Sequence, residues 1–95
     1  MLHQNVVVTN LNTNSIITVT IRIDAPIVDA ELGGSSCSVS LDGLTDGKSV
    51  IKGINNLNAL ANALIFLQSY FSGLPTDNIV TTPDGDEFFI AVNVL

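Results

Sequence analysis

Apolar and polar residues alternate in the first part of the chain, which is the pattern of half-buried β-strands. Val6 and Val8 belong to the first such run, and the second extends from Ile17 to Ile23 with threonines and charged residues on the opposite face. Residues 10–15 between them are rich in asparagine, which favours turns because its side chain hydrogen-bonds to nearby backbone. The pattern therefore predicts two antiparallel strands joined by a hairpin.

Two further strands are predicted between residues 36 and 53. Apolar residues alternate with serines from Ser36 to Leu41, so the Cys37 thiol is expected to point towards the core. A turn with two Asp-Gly pairs follows, and the segment Ser49–Gly53 returns as the fourth strand. Residues 26–34 have the composition of an exposed loop. We expect a meander of about four antiparallel strands.

The second half of the chain predicts one long helix and a closing β-hairpin. Asn55 or Asn56 supplies an N-cap, and Gly73, with a proline two residues later, marks the end of the helix. After it, the β-rich runs 79–81 and 87–92 flank a Pro-Asp-Gly turn, which is typical of a hairpin. The chain is thus predicted to form one α+β domain, residues 1–95, with the helix packed on the sheet.

The predicted helix is apolar over more than half of its circumference. One stripe, at spacings of three and four residues, is expected to face the sheet and contains Leu57, Leu60, Ala61, Leu64, Leu67 and Phe71. A second stripe adjoins it and contains Ala59, Ala63, Phe66 and Tyr70. Either other parts of the same chain or a second copy must cover this second stripe. We predict a homodimer in which these four residues form the interface, the two alanines allowing close approach and the two aromatic residues anchoring the contact.

Composition narrows the classes of partner and compartment. The 95 residues carry a net charge of -6, and only 13% are charged, while 46% are hydrophobic. Phosphate-backbone binding requires clustered lysine and arginine, so nucleic acid is not an expected partner. No run approaches the length of a membrane-spanning segment, and the first residues lack a signal-peptide pattern. With one cysteine and no possible internal disulfide, a cytoplasmic location is expected.

Few residues offer catalytic or metal-binding chemistry. Cys37 falls on a core position and His3 is the one histidine, so neither a nucleophile–base pair nor a histidine metal site is indicated. We expect no enzyme activity and no cofactor. The alternative is a divalent-metal or small-ligand site that uses the acidic turn. Its candidate residues are Asp77, Asp84, Asp86 and Glu87. Their spacing does not match an EF-hand, and Asp-Gly pairs are also common in plain hairpins.

Charge is unevenly distributed along the chain. The three basic residues, Arg22, Lys48 and Lys52, all lie in the first 52 positions, while residues 53–95 contain four acidic residues and no lysine or arginine. Such an acidic half can attract a basic partner or simply maintain solubility.

The segment 51–64 resembles the strand-to-helix signature of a family of small bacterial proteins that is catalogued only as a domain of unknown function. Matching positions are Gly53, Leu57, Ala59, Leu60, Ala63 and Leu64, whereas Asn55, Asn56 and Asn58 stand where the family usually has Asp, Ser and Gln. The family's aromatic-rich ending is represented only by Phe88 and Phe89. The resemblance implies a fold of strands followed by one helix, and no activity. Small acidic proteins of this kind also include immunity proteins that neutralise a toxin, which is a further alternative here.

Overall fold

The computed structural model describes residues 2–88 and residue 90. Six strands and one helix occur in the order β1 (Leu2–Asn10), β2 (Ile16–Ile23), β3 (Ile27–Val28), β4 (Ser35–Asp42), β5 (Lys48–Gly53), α1 (Asn56–Ser72) and β6 (Asn78–Thr81). All six strands belong to one antiparallel sheet, and α1 packs on one of its faces. The predicted α+β class is confirmed, but the six strands include β3, which was not predicted, and do not include the second run of the closing hairpin.

The four strands of the predicted meander, β1, β2, β4 and β5, pair in the order in which they occur in the chain, whereas β3 and β6 depart from that order. β1 pairs with β2 in the predicted hairpin, with Val6 opposite Val19. β2 pairs with β4, β4 with β5, and β6 lies on the other side of β1. The helix therefore connects β5 at one edge of the sheet to β6 at the other, and its closest packing is against β4 and β5.

The short strand β3 lies in the segment that was predicted to be an exposed loop. Ile27 and Val28 pair with the first two residues of β4, on the same side of β4 as β2. Between β2 and β3, the three residues 24–26 stand opposite only Cys37 and Ser38, so the register shifts by one residue as in a β-bulge. The bulge contains Pro26, which lacks the N–H that a regular ladder would use. Two residues are too few to show a periodic pattern.

The closing hairpin is only partly as predicted. Its first strand, β6, pairs with β1 through contacts such as Val8 opposite Val80. The turn is present, because the Thr82 N–H donates to the Asp86 carbonyl at 2.8 Å. The return is limited to a bridge between Thr81 and Glu87 and one hydrogen bond from the Phe88 N–H to the Val80 carbonyl. The remainder of the predicted arm, at residues 89, 91 and 92, lies outside the described residues.

The core consists of one face of the sheet and one line of the helix. The buried strand residues are Val6, Val8, Val19, Ile21, Ile23, Cys37, Val39 and Leu41. From the helix, Ala59, Ala63 and Leu67 are buried against them. The prediction that Leu57 faces the sheet is therefore wrong, since its side chain is 80% exposed.

Two residues of the predicted dimer interface are part of this core. Ala59 and Ala63 are 0% exposed, so they are not available to a second copy in the folded chain. Their small side chains, together with the missing side chain of Gly53, let the helix backbone lie close to β4 and β5. The close approach for which these alanines are suited is thus made to the chain's own sheet.

The aromatic residues of the second stripe are half-buried within the chain. Phe66 and Tyr70 pack against the core, and their ring centroids are 6.4 Å apart. Tyr70 also contacts Phe71 edge-to-face at 5.8 Å, and Phe71 contacts Phe88 at 5.9 Å. This aromatic row supplies part of the cover that was expected from a partner. Contact of Phe66 and Tyr70 with a second copy stays a prediction.

Candidate functional site

Three aliphatic side chains are exposed where β3 and the end of β5 meet the start of α1. Val28, Ile54 and Leu57 are 62%, 81% and 80% exposed. They line a shallow groove of about 430 Å³, to which Gly34 and Asn55 also contribute. We call these three aliphatic residues the helix-start patch. Clustered exposed aliphatic residues of this kind mark interaction surfaces more often than singly scattered ones do.

The capping of the helix involves Ile54, one member of the patch. Asn55 is the N-cap, and its side-chain oxygen accepts a hydrogen bond from the Asn58 N–H at 2.8 Å. In return, the Asn58 side chain accepts from the Ile54 N–H at 2.9 Å. In such reciprocal caps the residue before the N-cap often packs on the fourth helical residue. That residue here is Ala59, which is buried under the helix, so Ile54 remains exposed.

The floor of the groove is formed by a close approach of two backbone segments. Gly34 has a φ angle of +76°, and a Cβ atom on it would lie 2.7 Å from the Gly53 carbonyl oxygen. The buried Ser35 hydroxyl next to it donates to the Asn56 side-chain oxygen at 2.7 Å. The loop before β4 is thereby tied to the first turn of α1, and this brings Val28 beside Ile54 and Leu57.

A larger groove of about 700 Å³ lies between the second half of α1 and β6. Phe71, Val80 and Phe88 line its apolar part. At one side, the Gln68 side-chain amide donates to the Ile90 carbonyl at 2.8 Å, which holds the end of the described chain against the helix.

The structure does not bring together the four acidic residues that were considered for a metal site. Asp77 lies before β6, where its carboxylate accepts hydrogen bonds from the side chains of Asn10 and Asn12 at 3.2 and 3.0 Å. The acidic turn 84–87 follows β6, and the four residues of that strand put about 10 Å between its ends. Within residues 2–88 and 90 there is no group of three or more His, Cys, Asp or Glu side chains that could hold a metal ion.

Cys37 lies in the core and His3 lies on the surface. The prediction that the thiol points to the core is confirmed, since Cys37 is fully buried and its Sγ donates to the Asp24 carbonyl at 3.3 Å. Burial raises the pKa of the Cys37 thiol, and the nearby Asp24 carboxylate raises it further. Such a thiol is a poor nucleophile, because the thiolate is the reactive form. His3 is exposed in the strand β1.

The topology gathers the three basic residues on the face of the sheet that the helix leaves open, a grouping that reading along the chain did not predict. Arg22, Lys48 and Lys52 alternate with core positions and therefore point away from α1. Arg22 forms an ion pair with Asp42 at 2.6 Å, and Lys48 with Asp24 at 3.0 Å. The signal that could have located this grouping is the predicted meander, in which β2, β4 and β5 pair in turn and the alternation of each strand sets the direction of its basic residue.

Comparison of the chain with protein-family models, with curated proteins and with solved structures found no match. The resemblance of segment 51–64 to a bacterial domain family consequently stays a prediction. In the part of the chain that the structure describes, no helix has the length and apolar character needed to cross a membrane.

Proposed function

We propose that this protein is a protein-interaction module that forms a homodimer, with the helix-start patch as the contact surface. The observation that carries the proposal is the exposure of Val28, Ile54 and Leu57 side by side on one groove. A two-fold interface brings the same surface of both copies together, so the patch would cover itself. This proposal keeps α1 as the interacting element but replaces Ala59 and Ala63 with residues at its beginning.

The size of the patch predicts a weak dimer. Full burial of one aliphatic side chain is worth about 2 kcal/mol, so the six partly exposed side chains of two copies contribute about 9 kcal/mol gross. Association costs about 4 kcal/mol or more, which leaves about 5 kcal/mol at most, a dissociation constant of about 0.2 mM or weaker. Two copies of charge -6 also repel each other, and salt screens that repulsion. We therefore expect the dimer to strengthen with ionic strength.

Sedimentation velocity at concentrations from 5 to about 500 micromolar tests this proposal. We expect the average mass to rise with concentration for the natural chain and to stay at one protomer for the variant Leu57→Asn. Leu32→Asn is the matched control, because Leu32 is 85% exposed but does not line the groove. One protomer mass at all concentrations, or equal effects of the two variants, would contradict the proposal.

A second candidate function is neutralisation of a basic toxin, for which the acidic turn would be the contact. Its support is the exposure of Asp84, Asp86 and Glu87 next to one another on a tight turn. Electrostatic attraction of this kind mainly raises the association rate and is sensitive to salt. The test is co-purification of one identified basic protein from the native host by the natural chain, and its loss from the variant Asp84→Asn/Asp86→Asn/Glu87→Gln.

A further inference from the structure

β5 is an open edge of the sheet. Among the described strands it pairs only with β4, while at the opposite end of the sheet β6 has a bridge between Thr81 and Glu87 beside it. An open edge presents unpaired N–H and C=O groups that another strand can use. The properties of that edge therefore decide which strand can be added to it.

The register shows which residues of β5 present these groups. The Asp24 N–H donates to the Ser38 carbonyl, so the backbone groups of Ser38 point towards β2 and β3. The neighbours of Ser38 in β4, Cys37 and Val39, consequently point towards β5 and bond to Ile51 and Ser49. The backbone groups of Lys48, Val50 and Lys52 then point outwards from the sheet.

Most of these outward groups are free to bond. The Lys52 carbonyl accepts a hydrogen bond from the Asn62 side-chain amide at 2.9 Å, which confirms that this carbonyl points outwards. Within residues 2–88 and 90, no other hydrogen bond engages the outward groups of Lys48 and Val50. The helix thus closes the edge at its end and leaves the middle of β5 accessible.

Two of the three basic residues of an acidic chain lie on this edge. Lys48 and Lys52 are four residues apart, about 13 Å along the strand, and both side chains extend over the open face. Lys52 has no ion pair within the part of the chain that the structure describes, and Lys48 has one exposed pair with Asp24. Between the two lysines, Val50 is 57% exposed.

This charge pattern disfavours a second copy at the same edge. Antiparallel pairing of two β5 strands centred on Val50 would place Lys48 of each copy directly opposite Lys52 of the other. Like charges in directly opposed positions destabilise a pair of strands. A strand with acidic residues at the same two positions would meet opposite charges instead.

We propose that the β5 edge binds an extended acidic segment of a partner protein, which joins the sheet as an antiparallel strand. The segment carries acidic residues at its first and fifth positions, opposite Lys52 and Lys48, and a β-branched apolar residue at its third position, opposite Val50. Main-chain hydrogen bonds supply affinity, and the two lysines select the charge. This surface is separate from the helix-start patch and the proposal does not depend on that patch.

The first experiment uses a blocked synthetic peptide with the central sequence Ser-Glu-Thr-Val-Thr-Glu-Ser. It is titrated into the isotopically labelled protein at about 20 micromolar, and amide resonances are followed by NMR. We expect saturable shifts confined to residues 48–53 and their neighbours in β4, together with an affinity that falls as salt rises. No shifts, or shifts centred elsewhere, would overturn the proposal.

Two N-methylated peptides test whether the main chain makes the contact. Methylation of the central valine removes an N–H that points towards Val50 in the added strand, whereas methylation of the adjacent threonine removes one that points away. Binding should be lost with the first and kept with the second. Equal affinities of the two peptides would show that strand addition does not occur.

Charge reversal tests whether the lysines recognise an acidic strand or only prevent two β5 edges from pairing. In Lys52→Glu, the affinity for the acidic peptide should fall by roughly 2- to 30-fold, because an attractive cross-strand pair becomes a repulsive one. A peptide with lysine in place of its first glutamate should regain that affinity. If the acidic peptide fails to bind while Lys52→Glu self-associates, the lysines only guard the edge and the proposal is wrong. All readouts are made on monomeric protein, so a failure of the homodimer proposal does not affect them.

Discussion

We expect the addition of a single methyl group at Gly53 to lower the unfolding free energy markedly. Gly53 ends β5 and lies under the first turn of α1. In Gly53→Ala, the new Cβ atom would lie 2.6 Å from the Ala59 Cα and 2.8 Å from the Asn58 carbonyl carbon. Carbon atoms in contact are normally about 3.5–4.0 Å apart. Both neighbours are helix backbone, so no side-chain rotation can relieve the clash.

The helix must therefore move away from the sheet by about 1 Å, which loosens the contacts of Ala59, Ala63 and Leu67 with the core. Insertion of a carbon into a packed site costs about 1–3 kcal/mol when side chains can adjust. We expect the upper end here, about 3 kcal/mol of unfolding free energy, because only backbone can move. For a domain of this length, this corresponds to a fall in Tm of about 12–20 °C.

Urea unfolding followed by far-UV circular dichroism measures the effect. Gly33→Ala is the matched control, because Gly33 has a φ angle of +76° and no atom within 4 Å of a built Cβ. Its cost should be only that of the left-handed backbone, about 1–2 kcal/mol. Without a clash, Gly53→Ala would stabilise the chain slightly by restricting its unfolded state. A Gly53→Ala protein as stable as the natural chain would refute the close approach of helix and strand.

Two further predictions concern the core. Ala63→Leu should lower the unfolding free energy by about 1–3 kcal/mol in urea titrations, because the Ala63 side chain is fully buried. Ala61→Leu is the control and should change it by much less, because Ala61 is only half-buried. A larger loss for Ala61→Leu than for Ala63→Leu would mean that the stripe containing Ala61 faces the sheet. Burial raises the pKa of Cys37, so the folded state holds the thiol proton more tightly than the unfolded state does. The unfolding free energy should therefore be highest below the unfolded pKa of about 8.5 and should fall as the pH rises from there through the folded pKa. Unfolding measured from pH 7.5 to 9.5 should show this decline for the natural chain and not for Cys37→Ala, and rapid alkylation of Cys37 without unfolding would argue against its burial.

The local elements could be predicted from the sequence because their signals are local. Alternation of apolar and polar residues indicated β1, β2 and β4, and the hairpin between the first two follows from the turn residues that join them. The helix begins after Asn55 and ends before Gly73, as the capping residues predicted. The inward direction of Cys37 needed only the alternation within one strand.

The choice of helix face could not be predicted in the same way. α1 is apolar over more than half of its circumference, so its periodicity does not select one stripe over the other. The choice depends on how closely the helix can approach the sheet. That distance is set by the contact between Gly53 at the end of β5 and Ala59 in the first turn of α1. The small Ala59 and Ala63 therefore lie against the sheet at the start of the helix, Leu67 follows them one and two turns later, and Leu57 is left in solvent.

The candidate surfaces likewise depend on tertiary structure. Val28, Ile54 and Leu57 are neighbours only because β3 pairs with the beginning of β4, a two-residue strand without a periodic signal. Composition and position in the sequence determined that the chain is acidic and that its basic residues come early. Among the described strands β5 pairs with β4 alone, and this tertiary pairing puts Lys48 and Lys52 on an open edge, since the partners of a strand are set by contacts between residues far apart in the chain.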